Sequence, residues 1–87
     1  MCTYITETAA ILGTAKGQTG WINVDTANVY YDHPQAAPLD HTLNIDFVNP
    51  DAGIGERVSV ELTLESARAL ADALLAALER AEAYEAQ

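Results

Sequence analysis

At 87 residues the chain has material for one domain, and its 49% hydrophobic share includes sixteen alanines that bury little area each. A chain this short hides only roughly 60 to 65% of its unfolded surface on folding, so a partner, a metal or a second subunit is expected to add stability. Thirteen acids against four bases give a net charge of −9, which argues against nucleic acid or anionic lipid held through a basic face. No run approaches the ~18 apolar residues of a membrane span. The N-terminus lacks a basic segment leading into an apolar run, so a cytoplasmic protein is expected. One cysteine cannot close an internal disulfide.

Residues 1–7 read as a short strand, with Ile11 and Leu12 in a second strand or its continuation. Residues 13–20 hold three glycines and Lys16, and read as a loop or a hairpin tip. Residues 21–32 form the longest strand candidate. Ile22, Val24 and Thr26 share one parity, Val29 and Tyr31 the other, and the change of phase near Ala27 and Asn28 predicts a bulge or turn there. Residues 33–40 carry Pro34 and Pro38 and cannot pair as a central strand. Residues 41–48 alternate, with Leu43, Ile45 and Phe47 on the face expected to be covered and Thr42, Asn44 and Asp46 on the other. After a turn at residues 49–53, residues 57–62 give a partner strand with Val58, Val60 and Leu62 inward.

From Thr63 the spacing becomes helical. Thr63 is the expected N-cap, and Glu65 puts negative charge where the helix dipole favours it. Leu64, Leu70, Leu74, Leu75 and Leu78 with intervening alanines make a broad apolar stripe. The fold class that follows is α+β: a small antiparallel sheet of three to five strands over residues 1–62, then one long helix over residues 63–87 packed across a face.

The residues able to do chemistry lie in the sheet half: Cys2, Lys16, Asp32, His33, His41 and Asp46. The only two histidines stand at opposite ends of the proline-containing connection. His41 shares parity with Leu43, so its imidazole is expected toward the covered face, where it needs a hydrogen-bond partner, a metal, or work as an acid or base. A buried histidine satisfied by a backbone carbonyl is the plainer account. Cys2, His33 and His41 together would offer a thiolate and two imidazoles, a set suited to zinc, copper or iron, with Asp32 or Asp46 completing the shell. The segment around Lys16 is no phosphate loop, because Lys16 is followed by Gly17 and a strand rather than by Ser or Thr opening a helix. Lys16 in a flexible loop could meet an anion, and Trp21 and Tyr31 could line a pocket. Aromatic residues in strands more often serve a core or an interface.

The opening residues 1–7, Met-Cys-Thr-Tyr-Ile-Thr-Glu, resemble a family of short actinobacterial proteins known only as a domain of unknown function. The resemblance continues through Lys16-Gly17, Gly20-Trp21, Tyr31-Asp32-His33-Pro34, His41, Ile45-Asp46-Phe47 and Glu61-Leu62-Thr63 to Ser66-Ala67-Arg68. Ile22-Asn23 stands where the family's pattern has Phe-Pro. The resemblance implies no activity, but it places Cys2, Lys16, Trp21, Asp32, His33 and His41 within the family's motif. Structural need explains a motif glycine or proline more readily than two histidines and a cysteine.

Three readings follow. The first is a metal-binding accessory domain with Cys2, His33, His41 and Asp32 at the ion and Lys16, Trp21 and Tyr31 at a ligand. The second is a small oligomeric enzyme with Cys2 as nucleophile and a histidine base. The third is an interaction subunit without chemistry. In each, a homo-oligomer or a larger protein partner is expected, since a small sheet with one helix leaves an apolar face or an open edge.

Overall fold

Gly17 and Gly20 face each other across a two-residue connection, Gln18-Thr19, and Gly20 takes φ 131°, a conformation that favours a residue without Cβ. This hairpin joins β1 (Ile5–Gly17) to β2 (Gly20–Asp32). The computed structural model describes residues 5–52 and 56–87. β3 (Thr42–Val48) and β4 (Arg57–Leu62) follow, with a short 3-10 turn at Pro50–Ala52 between them, and α1 (Leu64–Glu85) ends the chain. The strands form one antiparallel sheet in the order β1-β2-β3-β4. The expected α+β arrangement, sheet first and helix last, is present.

The predicted irregularity falls on a different strand. β2 runs unbroken through Ala27 and Asn28, and the register slips instead in β1, between Ala10 and Gly13. Ala10 pairs with Thr26 and Gly13 with Val24, so Ile11 and Leu12 share the space opposite Asp25. This bulge reverses the facing of the strand beyond it. Residues 13–17 are therefore strand rather than loop, and only Gln18 and Thr19 form the tip.

The cross-strand rows define the two faces. One carries the rows Ala27-Phe47-Val58, Val29-Ile45-Val60 and Tyr31-Leu43-Leu62; the other carries Asn28-Asp46-Ser59, Tyr30-Asn44-Glu61 and Asp32-Thr42. Burial reverses the expectation from alternation. Thr42, Asp32, Asn44 and Asp46 are buried, whereas Leu43, Ile45 and Phe47 are only half-buried. The physical reason lies in the coiling of the sheet, which brings its edge strands β1 and β4 into contact. The polar face lies inside that coil together with Val24. Its polar groups are paired: Thr42 Oγ1 donates to Asn44 Oδ1 (2.6 Å) and Tyr30 Oη donates to Asp46 Oδ2 (3.0 Å). Among the described residues, no buried side-chain nitrogen or oxygen lacks a partner.

The helix starts as its cap predicts. Thr63 is extended, and its hydroxyl accepts the Ser66 amide at 3.0 Å. A shallow cavity between Leu43 and the helix residues Leu64, Ala67, Arg68 and Ala71 marks where its first turns approach β3. No residue of α1 is buried.

Candidate functional site

β2 delivers Asp32 to the end of the sheet, and the chain then leaves in the irregular connection of residues 33–41 before β3 begins. The conformation of this connection is held from outside. The Glu61 carboxylate on β4 accepts the amides of Ala36 (3.0 Å) and Ala37 (2.9 Å) through Oε1 and that of Gln35 through Oε2. These three amides favour the charged form and pull the Glu61 carboxyl below the ordinary carboxylate value. At the start of the connection, Asp32 Oδ1 accepts the His33 amide at 2.7 Å.

The clamped connection folds its two ends together. The His33 and His41 rings lie with centroids 4.6 Å apart and planes 31° from parallel. His41 in turn stacks on Tyr31, at 5.5 Å and 20°. His33 Nδ1 is 3.1 Å from the Asp40 carbonyl. A carbonyl only accepts, so this contact selects the tautomer with the proton on Nδ1 and the lone pair on Nε2. Metal-binding histidines are commonly oriented by such a bond from their second nitrogen. His33 is exposed and His41 half-buried, so the pair stands at the surface. His41 does share parity with Leu43, as expected, but that face is not the enclosed one.

Inside the coil, next to this end, a small cavity of about 60 Å³ is lined by Tyr30, Asp32, His33, Asn44, Asp46 and Arg57, among others. Asp46 is committed there. It accepts from Tyr30, and Arg57 Nη1 approaches the same oxygen at 3.7 Å. Burial, followed by the bond to Asp46 and its negative charge, raises the Tyr30 phenol above its ordinary value.

The structure therefore brings His33 and His41 together, with Asp32 adjoining His33 in the chain. Cys2 lies outside the described residues. Among the described residues no three His, Cys, Asp or Glu side chains are grouped as a metal site. The proposed ligand-binding trio is divided. Lys16 and Trp21 oppose each other at the tip of the first hairpin, both exposed, while Tyr31 lies ten residues further along β2, roughly 33 Å at the rise of a strand. A separate cleft of about 410 Å³ opens near that tip, lined by Gln18, Thr19, Ile22, Glu56, Arg57 and Ser59 among others. Glu61 was not foreseen as a site residue. Its three amide partners lie 24 to 26 positions earlier in the chain, and no local pattern signals such a contact.

The fold and site define a small α+β domain: a four-stranded meander, a clamped connection carrying two imidazoles, and a terminal helix. The chain belongs to a family of unknown function, DUF6295, whose profile matches residues 1–87. No curated protein and no solved structure matches it.

Proposed function

We propose that this chain is a small metal-binding accessory domain in which His33 and His41 hold a transition ion, with Cys2 as third ligand and Asp32 as fourth ligand or supporting carboxylate. The observation that carries the reading is the adjacency of the two imidazoles. An ion bonded at ~2.0–2.1 Å to a nitrogen of each ring puts the ring centres roughly 5 Å apart in tetrahedral geometry, and here they are 4.6 Å apart. The Asp40 carbonyl supports the reading further by orienting His33 through Nδ1. Both carboxylates are engaged, Asp32 by the His33 amide and Asp46 by Tyr30 and Arg57. Asp32 is the stronger candidate because it adjoins His33 in the chain, whereas Asp46 stands four positions along β3 from the Thr42–Asp32 row. Zinc, copper and iron all suit a thiolate with two imidazoles.

The test is metal titration of untagged protein by calorimetry, with zinc and copper as the probes. Stoichiometric binding is expected, weakened at least ~10-fold by His33→Ala, His41→Ala or Cys2→Ser and unchanged by Lys16→Ala. Absence of stoichiometric binding of either ion, or binding that survives both histidine substitutions, refutes the proposal. Fast alkylation of Cys2 in protein that binds no metal would move the function to the thiol.

A further inference from the structure

The helix that ends the chain is amphipathic, yet its apolar side meets almost nothing. Leu70, Leu74, Leu75 and Leu78 are 49%, 65%, 59% and 50% exposed, and Leu64 at the helix start is 60% exposed. The helix has 22 residues, a length of about 33 Å, and only its first turns approach the sheet. The sheet shows the complementary deficit. Its apolar face, centred on Val29, Ile45 and Val60 and flanked by Phe47, Leu43 and Tyr31, is only half-buried. Val24 and Ala27 are the buried apolar residues among those described.

The whole molecule carries the same deficit. Its accessible surface is 6789 Å², where a folded monomer of 9.3 kDa exposes about 5,000 Å². Its radius of gyration is 14.6 Å, against about 12 Å for a compact chain of this length. The excess of about 1,800 Å² per chain, summed over two chains, falls in the 2,000–5,000 Å² range of permanent homodimer interfaces.

We propose that a second copy of this chain covers these surfaces, in a two-fold homodimer that buries the α1 leucines and the apolar sheet face of each copy. A second copy fits because every chain carries both a leucine ridge and an apolar face left open, so one two-fold operation satisfies both twice. Anionic bilayers fit poorly: α1 carries Asp72, Glu79, Glu82 and Glu85, the last two in line with the leucines themselves, and the chain's net charge is −9. Asp72 and Glu79 flank the leucine stripe and Glu82 and Glu85 continue it beyond Leu78, so the surface to be joined is the uncharged stripe from Leu64 to Leu78.

Sedimentation equilibrium of the full chain at micromolar concentration, with thermal melts across a wide concentration range, tests this. The wild type is expected to sediment as a dimer, with a melting temperature that rises with concentration. Leu74→Glu with Leu75→Glu is expected to weaken the dimer at least ~100-fold, and Ile45→Lys on the sheet face to weaken it comparably. If the helix variant fails to fold, the wild-type melts still decide, since concentration dependence supports the second copy and its absence overturns it. A wild type that sediments as a monomer overturns the proposal, whether or not it binds phosphatidylcholine or phosphatidylglycerol vesicles. So does a dimer whose affinity neither the helix nor the sheet variant changes.

Discussion

Tyr30→Phe removes one oxygen from the interior of the coiled sheet and leaves the ring in place. That oxygen donates to Asp46 at 3.0 Å, and Asp46 is buried. A hydrogen bond to a charged group contributes about 1.5–3 kcal/mol, and removing the donor leaves a buried acceptor partly unsatisfied. Arg57 remains 3.7 Å from the same oxygen but is half-exposed, so it compensates incompletely. A loss of about 2 kcal/mol is therefore expected. For a domain of this size each kcal/mol moves the melting temperature by roughly 4–8 °C, so the variant should melt roughly 8–16 °C lower. Protein concentration must be held fixed, because an associating chain melts in a concentration-dependent way. Tyr84→Phe, at an exposed position near the end of α1, is the control and should change stability by less than about 0.5 kcal/mol.

The same bond has a signature at alkaline pH. The Tyr30 phenol is raised above 10.0 in the folded state. The folded state therefore holds its proton to higher pH than the unfolded state does. The resulting stability is fully present below pH 10 and is lost as pH rises through the folded value. Absorbance titration of the tyrosines should show one late-ionising phenol that is missing from Tyr30→Phe. If Tyr30→Phe proves as stable as wild type within about 0.5 kcal/mol, the Tyr30–Asp46 bond does not help to hold the interior.

Three further outcomes follow from particular contacts. The Glu61 clamp has a folded carboxyl below its ordinary value of 4.5, so its contribution is present above that pH and is lost as pH falls through the folded value. The protection of the Gln35, Ala36 and Ala37 amides, measured as exchange relative to the intrinsic rate at each pH, should be high near neutrality and fall in acid, and Glu61→Gln should remove that change in protection. Thr63→Ala removes the acceptor for the Ser66 amide and should destabilise the fold by about 1 kcal/mol, with Thr63→Ser near wild type in the same urea melts. Rising salt should tighten the dimer by screening repulsion between two chains of −9; weakening with salt would show that ion pairs, not the leucine and sheet surfaces, hold it.

Local patterns were legible wherever local forces decide. Alternation from Leu43 to Phe47 and from Val58 to Leu62 located β3 and β4, and Thr63 located the helix start, because strand parity and capping depend on near neighbours. The choice of face was not legible. Alternation identifies which residues lie together, but the direction of coiling decides which set is enclosed, and here Tyr30, Asp46 and Arg57 pair across the inside. The bulge also escaped, because an extra residue at Ile11-Leu12 becomes evident only against the register of β2. At the candidate site, the meeting of His33 with His41 depends on Glu61 gripping the connection between them. The sequence presented both histidines without that grip.

Two imidazoles supply half of a tetrahedral ligand set, and the source of the other half connects the two proposals. Tyr31, on which His41 stacks, occupies the row that runs through Leu43 to Leu62, one residue before the helix cap Thr63. The imidazole pair thus borders the apolar face that a second copy is proposed to cover. If Cys2 and Asp32 complete the shell, each chain binds one ion, and a folded monomeric Leu74→Glu, Leu75→Glu variant binds it as tightly as the dimer does. If the missing ligands come from the second copy, the stoichiometry falls to one ion per two chains, and metal affinity weakens together with dimerisation. The ligand set proposed here requires the first pattern. Metal titration of the wild type beside the helix variant separates the two, because His33→Ala removes an ion ligand without touching the leucine stripe, and the helix substitutions do the converse.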